Sequence, residues 1–461
     1  MGVGVSGWRL ARAVSVRGHL GVVSGTALDT VLVRRLQDGD EGGHLRRAME
    51  RFPIPGIAEQ VLHRFFHPRG REPGTPYRLL SVYHHAARLE RQMVTVLAAF
   101  VEVFLAKEGH DRPVGMNLLT KVQLPNLASL YGAMLAGVDV ILMGAGIPRE
   151  IPGALDQLAR HEPASLKLEI LGGPPADGND RVTVDPRRFW VEVPSPLVRP
   201  RFLAIIASNS LATMLARKSS GRVDGFVIEG PLAGGHNAPP RGEPRFNERG
   251  EPVYGERDEV DLAAIAALGF PFWVAGGAAH PDRLVAARAA GAAGIQVGTL
   301  FAYCEESGLD PALKRSILAA AAGGEIEVTT DPRASPTGYP FKVVRRIGDV
   351  DPAASRERIC DLGGLRTMYL TPQGRIGYRC PAEPIDAYLR KGGRAEDAVG
   401  RRCLCNGLTA AIGLGQVRDD GSTEPPLVTS GDDLLSIGGF LAGRASYHAD
   451  DVIDWLLAER S

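Results

Sequence analysis

Short apolar runs alternate with stretches of helical spacing through the first three hundred positions of the chain. The apolar runs that predict strands are Met1–Ser6, His19–Ser24, Val114–Leu118, Val138–Met143, Phe202–Ala207, Val223–Ile228, Phe272–Ala275 and Ile295–Val297. Between them, helical periodicity predicts helices over Trp8–Val16, Leu28–Leu36, Leu45–Met49, Met93–Leu105, Leu127–Leu135, Ile151–Leu158, Leu211–Arg217, Leu262–Leu268 and Arg283–Ala290. Near-continuous apolar strands alternating with helices mean a parallel sheet covered on both faces. Eight of them predict an α/β protein, a (β/α)8 TIM barrel, over residues 1–305. A Rossmann-like sheet is disfavoured, because no G-x-G-x-x-G follows the first strand with an acidic residue about 20 positions on.

The pattern breaks at three insertions, near 51–92, 161–200 and 239–258. The first is rich in Pro, Arg and His over Arg51–Arg78 and predicts irregular chain. The second reads as a hairpin of Leu166–Leu171 and Arg181–Val184. The third, Pro239–Asp258, is a long polar loop directly after a strand end, and its position suggests an inserted lid. Residues 306–461 lose the barrel rhythm and predict a helical and irregular C-terminal extension, with helices at Leu313–Ala321 and Val452–Leu457. The first strand begins at Met1, so either residues beyond 300 pack the bottom of the barrel or the true start lies upstream.

Composition narrows the function classes. Lys plus Arg equals Asp plus Glu, 53 each, so no basic field points to nucleic acid. No apolar run approaches the roughly 20 residues of a membrane helix, and no secretory signal is visible. Five cysteines in a chain of 461 residues do not read as a disulfide framework. These features predict a cytoplasmic protein acting on a small molecule, without a membrane or nucleic-acid partner; a homo-oligomer is left open.

The candidate chemistry sits at strand ends. Ile228-Glu229-Gly230-Pro231-Leu232-Ala233-Gly234-Gly235-His236 carries a strand into a small-residue loop that ends in a histidine. Gly276-Gly277 and Gly298-Thr299 end the last two strands, where barrels commonly bind phosphate. Glycine lets backbone N–H groups approach an anion without a Cβ in the way. His236 is suited to general acid or base work, or to a structural bond with its own loop. His63, His67, His84 and His85 lack metal-ligand spacing and predict solvated side chains. Cys360, Cys380, Cys403 and Cys405 lie close together in the extension, and four thiolates can hold Zn²⁺ or an iron–sulfur cluster; the alternative is four idle reduced thiols. Cys304 reads as core.

The segment EGPLAGGH resembles the signature of the FMN-dependent nitronate monooxygenase family, formerly 2-nitropropane dioxygenases, which includes flavin-dependent enoyl-acyl-carrier-protein reductases. Gly2-Val3-Gly4-Val5-Ser6, VGMN ending in Asn117, VAGG ending in Gly277 and GIQVGT ending in Thr299 are similar to the same family in order and spacing, over about residues 1–305. The resemblance implies FMN at the C-terminal face of the barrel. It implies that Asn117, from the third strand, contacts the flavin and that Glu229 lies near its ring or ribityl chain. Gly234, Gly276, Gly277, Gln296, Val297, Gly298 and Thr299 would line FMN and its phosphate, and His236 would be the catalytic acid/base. The implied activity is oxidation of nitronates or nitroalkanes with O2. The alternative is an NAD(P)H-dependent enoyl (acyl-carrier-protein or polyketide-type) or quinone reductase, whose substrate would be an acyl-thioester in the enoyl case. A non-enzymatic alternative is a flavin- or metal-binding partner protein. Two positions depart from the pattern: Leu232 stands where members often carry Glu, and Glu229 where many carry Gln.

Overall fold

The computed structural model describes residues 2–349 and 356–458. In chain order the strands are β1 (Gly21–Ser24), β2 (Val114–Leu119), β3 (Val140–Gly144), β4 (Ala164–Lys167), β5 (Ile170–Leu171), β6 (Arg181–Val184), β7 (Arg201–Ile206), β8 (Gly225–Glu229), β9 (Phe272–Ala275), β10 (Gly294–Gln296), β11 (Ile326–Asp331), β12 (Phe341–Arg346), β13 (Thr367–Leu370) and β14 (Ile376–Arg379). Seven of them, β1-β2-β3-β7-β8-β9-β10, form one sheet in that order, and every neighbouring pair is parallel.

The two faces of the sheet bury different partners. Along β3, Val140 and Leu142 point inward and meet Leu203, Val227 and Ala275, with Leu20, Val22 and Trp273 packed beside them. Ile141 and Met143, one residue out of phase, point outward to the helices together with Met116, Phe202, Phe226 and Phe272. This is the period of two that a strand imposes on its side chains. The helix Leu89–Lys107 is buried along most of its length, between Gln123–Leu135 and the helices Trp8–Val16 and Leu28–Gln37. Trp8–Val16 has no side-chain cap of its own; its Trp8 N–H donates to Glu102 Oε1 at 2.6 Å from that long helix.

The expected first strand is not a strand. Residues 2–6 form a turn with Gly4 at φ 61° (Met1 lies outside the described residues). The turn is tied to the edge of β1, since Ser6 Oγ donates to Val22 O at 2.6 Å and Ser24 N donates to Ser6 O at 2.8 Å. Val5 O accepts from Gly308 N at 2.8 Å. Glycines at positions 2 and 4 allow the tight turn that competes with extension. Among the described residues the sheet therefore has seven strands, and its edges are β1 and β10.

Three further expectations change. The segment expected to be irregular over 51–78 contains a helix, Ile57–Phe65, which buries Ile57, Val61 and Phe65. In the second insertion β4 pairs antiparallel with β6, while β5 leaves the hairpin and pairs parallel with β13. The extension is not only helical and irregular: β11–β12 and β13–β14 are antiparallel hairpins. β11 alternates buried and half-buried residues along its length, a two-residue period that marks a half-buried strand.

The extension closes onto the barrel. A second core joins Leu10 to Leu300, Tyr303, Cys304, Leu318, Leu434, Phe440 and Val452. Cys304 is fully buried there, as expected. No helix among the described residues is long and apolar enough to cross a membrane.

Candidate active site

β8 ends at Glu229, and the following loop is fixed from outside the barrel. Lys342 N donates to Gly235 O at 2.9 Å, and Asn237 N donates to Pro340 O at 3.0 Å, so 235–237 runs against the start of β12. The His236 ring meets Phe341 edge-on at 4.9 Å. His236 Nε2 lies 2.7 Å from Ser335 Oγ and 3.4 Å from Thr337 Oγ1. Burial, reinforced by Lys121, pulls the imidazole down to about 3, so it is neutral at pH 7.

Lys121 follows β2 in chain order, and Tyr339 covers it. Its Nζ lies 2.8 Å from the centre of the Tyr339 ring and donates to Thr337 Oγ1 at 3.5 Å. Burial lowers the ammonium to about 7. Glu229 is pushed the other way by burial, up to about 7. Three groups that can change protonation thus gather at the carboxyl ends of parallel strands, the face on which such barrels assemble their sites.

Two cavities that share lining residues adjoin them. A cavity of about 180 Å³ is lined by Asn117, Lys121, Glu229, His236, Gln296 and Cys405. One of about 420 Å³ is lined by Glu229, Gly234, Gly276, Gly277, Gln296, Val297, Gly298 and Thr299. Glu229, Gly234, Gly235 and Gln296 border both. The larger volume is within the range of cofactor sites. Each residue implied to touch a cofactor therefore borders one or both cavities. Asn117 does so from β2, the second strand of the sheet rather than the third.

The glycines differ in their reasons. Gly276 is at φ 88°, and a Cβ there would come within 3.0 Å of Ala233 N and Gly230 O. Gly277 is at φ 65°. Gly234 has another task, since a Cβ on it would stand 2.6 Å from the Ser430 carbonyl carbon. The segment Thr429-Ser430-Gly431 lies across this loop: Gly235 N donates to Thr429 Oγ1 at 2.8 Å, and Gly431 N donates to Thr299 Oγ1 at 3.1 Å. Thr299 is thus an acceptor for the extension as well as a wall of the cavity.

Sequence reasoning missed Lys121, Ser335, Thr337, Tyr339 and Thr429–Gly431. Runs of small polar residues, ASPTGY and VTSGDD, were the available signal, but no local pattern says which strand end they cover. The 239–258 loop is irregular apart from an antiparallel bridge between Phe246 and Pro252 and the turn Glu256–Asp258. Thr330 N donates to Glu251 Oε1 at 2.9 Å and Arg249 pairs with Glu327 at 3.2 Å, which ties the loop to β11. Its Arg241, Tyr254 and Asp258 share a further cavity of about 220 Å³ with His236 and Tyr339.

The four cysteines of the extension are free thiols. Burial pushes Cys380 and Cys405 up to about 12 and raises Cys360 and Cys403 as well, so none is a ready nucleophile. Among the described residues, no group of three or more His, Cys, Asp or Glu side chains is set to hold a metal ion, so nothing in the structure supports either the zinc or the iron–sulfur expectation for Cys360, Cys380, Cys403 and Cys405.

A curled parallel sheet with titratable groups and a glycine-bordered cavity at its carboxyl end defines a barrel-type enzyme site. Residues 196–369 match the family model of nitronate monooxygenase, a family of TIM-barrel oxidoreductases, and this bears out both the resemblance and the fold class for that region. The region contains Glu229, His236, both glycine loops and the 331–341 loop, and it runs past residue 305, where the sequence resemblance stopped. The chain is 28% identical over 233 residues to (3aS,4S,5R,7aS)-5-hydroxy-7a-methyl-1-oxo-octahydro-1H-indene-4-carboxyl-CoA dehydrogenase of Mycobacterium tuberculosis (strain ATCC 25618 / H37Rv). That match covers 46% of this chain and 60% of the relative. Similar solved structures include FabK from Thermotoga maritima (TM-score 0.46, 17% identity, 98% of this chain and 88% of that one). Nitroalkane oxidase from Streptomyces ansochromogenes is another (TM-score 0.44, 15% identity, 100% and 93%).

Proposed function

We propose that the protein is an FMN-dependent oxidoreductase of the nitronate monooxygenase type, which oxidises a small nitronate or nitroalkane with O2. The observation that carries this is the neutral imidazole of His236, held by Ser335 over cavities that glycine loops border. FMN fits the residues present: Gly276 is a position where backbone leaves no room for a Cβ, and the cavity beside it has the volume of a cofactor site. Gly276, Gly277 and Gln296–Thr299 would hold it, with Asn117 and Glu229 beside the smaller cavity. When bound, FMN supplies the electron acceptor.

The rest is the work of the chain. A neutral His236 accepts the proton from the carbon next to the nitro group, which a charged imidazolium could not do. Ser335 fixes the ring. Lys121, while protonated, favours an anionic substrate in the same cavity. The Tyr339 ring lies over that ammonium.

A second reading, an acyl-thioester substrate oxidised or reduced beside its carbonyl, is favoured by the relative that acts on a CoA ester. Anaerobic mixing separates the two. Bleaching of the flavin band by a nitronate supports the first, and bleaching by NAD(P)H or an acyl-CoA, with no response to nitronate, supports the second. Purified protein that takes up no flavin when FMN is added would exclude both.

A further inference from the structure

The 180 Å³ cavity has more wall than the groups proposed to do chemistry. Lys121, Glu229 and His236 form one part of its lining. Leu362, Leu365, Met368, Leu404 and Leu408 of the extension form another. Between β2 and the first turn of the helix Gln123–Leu135, Leu119, Val122, Leu124 and Pro125 add to it.

This apolar wall is continuous with the His236 site. Phe341, which meets the His236 ring edge-on at 4.9 Å, shares one apolar cluster with Leu404. Leu365 and Leu408 pack against that cluster. On the barrel side, Lys121 is followed directly by Val122, which is buried.

Both stretches of the extension are anchored. The helix Leu404–Ala410 is joined to 359–361 by Asn406 Nδ2, which donates to Asp361 Oδ2 at 2.8 Å and to Ile359 O at 3.2 Å. β13 carries Met368, which is the partner of Ile170 in β5. Arg366 Nε donates to Gly363 O at 3.0 Å, a terminal nitrogen of the same side chain donates to Tyr83 O, and the guanidinium lies over the Tyr378 ring at 4.6 Å. Segments of the first insertion, the second insertion and the extension therefore meet at one wall.

A nitro group with only a methyl substituent needs none of this wall. Apolar surface that lines a cavity favours a ligand whose own apolar groups displace water from it, and small-molecule sites combine such surface with a few convergent polar groups. We propose that this wall seats an alkyl chain on the reacting carbon, so that the substrate is a nitronate or nitroalkane with an alkyl tail, and that Leu124, Leu365 and Met368 set the length it accepts. The inference rests on the nitronate reading for the head group, which would lie with Lys121 and His236 in the same cavity. The 220 Å³ cavity under the 239–258 loop is the competing place for a tail. Its lining includes the exposed Arg241 and Ile147, so a tail there would stay partly wet.

The test uses straight-chain carboxylates, from acetate to decanoate, which carry the shape and charge of a nitronate head but cannot be oxidised in its place. Their binding to the full chain, with FMN added, is measured by calorimetry. The expected result is a gain of about fourfold in affinity per added methylene up to a length at which the gain stops. Leu124→Trp should move that stop to shorter chains and Leu365→Ala to longer ones. Leu211→Trp, in the cavity under the 239–258 loop, should leave it in place. Affinity that does not depend on chain length, or no carboxylate binding at all, would overturn the proposal. So would a stop that moves with Leu211→Trp and ignores Leu124→Trp and Leu365→Ala. The two wall variants act in opposite directions, so if one does not fold, the other still decides. No step of this test requires turnover. A flavin that nitronates fail to bleach, in a protein that keeps the chain-length series, would remove the oxidation reading and leave the tail pocket standing.

Discussion

His236 Nε2 stands 2.7 Å from Ser335 Oγ, although the two residues are 99 positions apart. One belongs to the loop after β8, the other to the loop between β11 and β12. The same hydroxyl lies 2.8 Å from Thr337 Oγ1, which accepts from Lys121 Nζ at 3.5 Å. The extension is therefore part of the site: it orients the histidine and links it to the buried lysine.

If Ser335 orients the imidazole, Ser335→Ala should lower kcat by about tenfold and leave KM nearly unchanged. Ser335→Thr should recover part of the loss. Because Thr337 can substitute as a partner, the double variant Ser335→Ala with Thr337→Val is the stricter test. Wild-type kcat in the double variant would show that the loop does not position the ring.

His236→Ala should retain FMN and the fold but lose turnover by about 10²–10⁴-fold, the usual contribution of a positioned general base. Flavin content and steady-state rate, measured on the same preparation, check this. A variant with full activity would make His236 a structural residue of the Gly235–Phe341 junction.

The pH dependence follows from Lys121. Its folded value of about 7 means that its charge is lost as pH rises through 7. Binding of an anionic competitor should weaken above pH 7, and in Lys121→Met it should be weak on both sides. Glu229 gains charge over the same interval and repels an anion in the same direction. Glu229→Gln separates them, because the limb persists in that variant if Lys121 causes it. His236 adds no limb in this interval, since burial holds it near 3.

The same lysine sets a stability prediction. Its folded value lies below the ordinary 10.5, so the unfolded chain binds the extra proton between about 7 and 10.5. The penalty is complete below 7 and disappears as pH rises through 10.5. Lys121→Met should therefore raise Tm most near pH 7, and the gain should shrink toward pH 10. A gain that is constant with pH would mean that burial of Lys121 is not the cause.

Gly276→Val adds a side chain at φ 88° where backbone atoms stand 3.0 Å from the new Cβ. The strain is about 1–3 kcal/mol, and the loop must shift. FMN affinity should fall at least about tenfold, with a lower Tm. Undiminished FMN binding would place the cofactor away from this loop.

The barrel was legible because burial on both sides leaves a local trace. Runs such as VILMG and FLAIIA are short enough, and closely enough bounded by glycine or polar residues, to read as buried strands, and seven of the eight expected strands occur where the apolar pattern put them. The eighth failed at Gly2 and Gly4, where glycine freedom allows a turn as readily as extension. The glycine loops and His236 were legible for a related reason: they sit at fixed offsets from those strands. The hairpins of the extension were not, because short half-buried strands depend on what covers them.

The amino-acid sequence by itself determined the parallel sheet, its strand ends, the histidine and the glycine loops, since each depends on neighbours a few residues away. Only the tertiary structure decided that Ser335 and Thr337 hold His236, that Tyr339 covers Lys121, and that Thr429–Gly431 lies across Gly234. These are contacts between segments tens to hundreds of residues apart, set by how the extension packs on the barrel face. No local periodicity encodes them, because they arise from the shared burial of two surfaces rather than from the conformation of either.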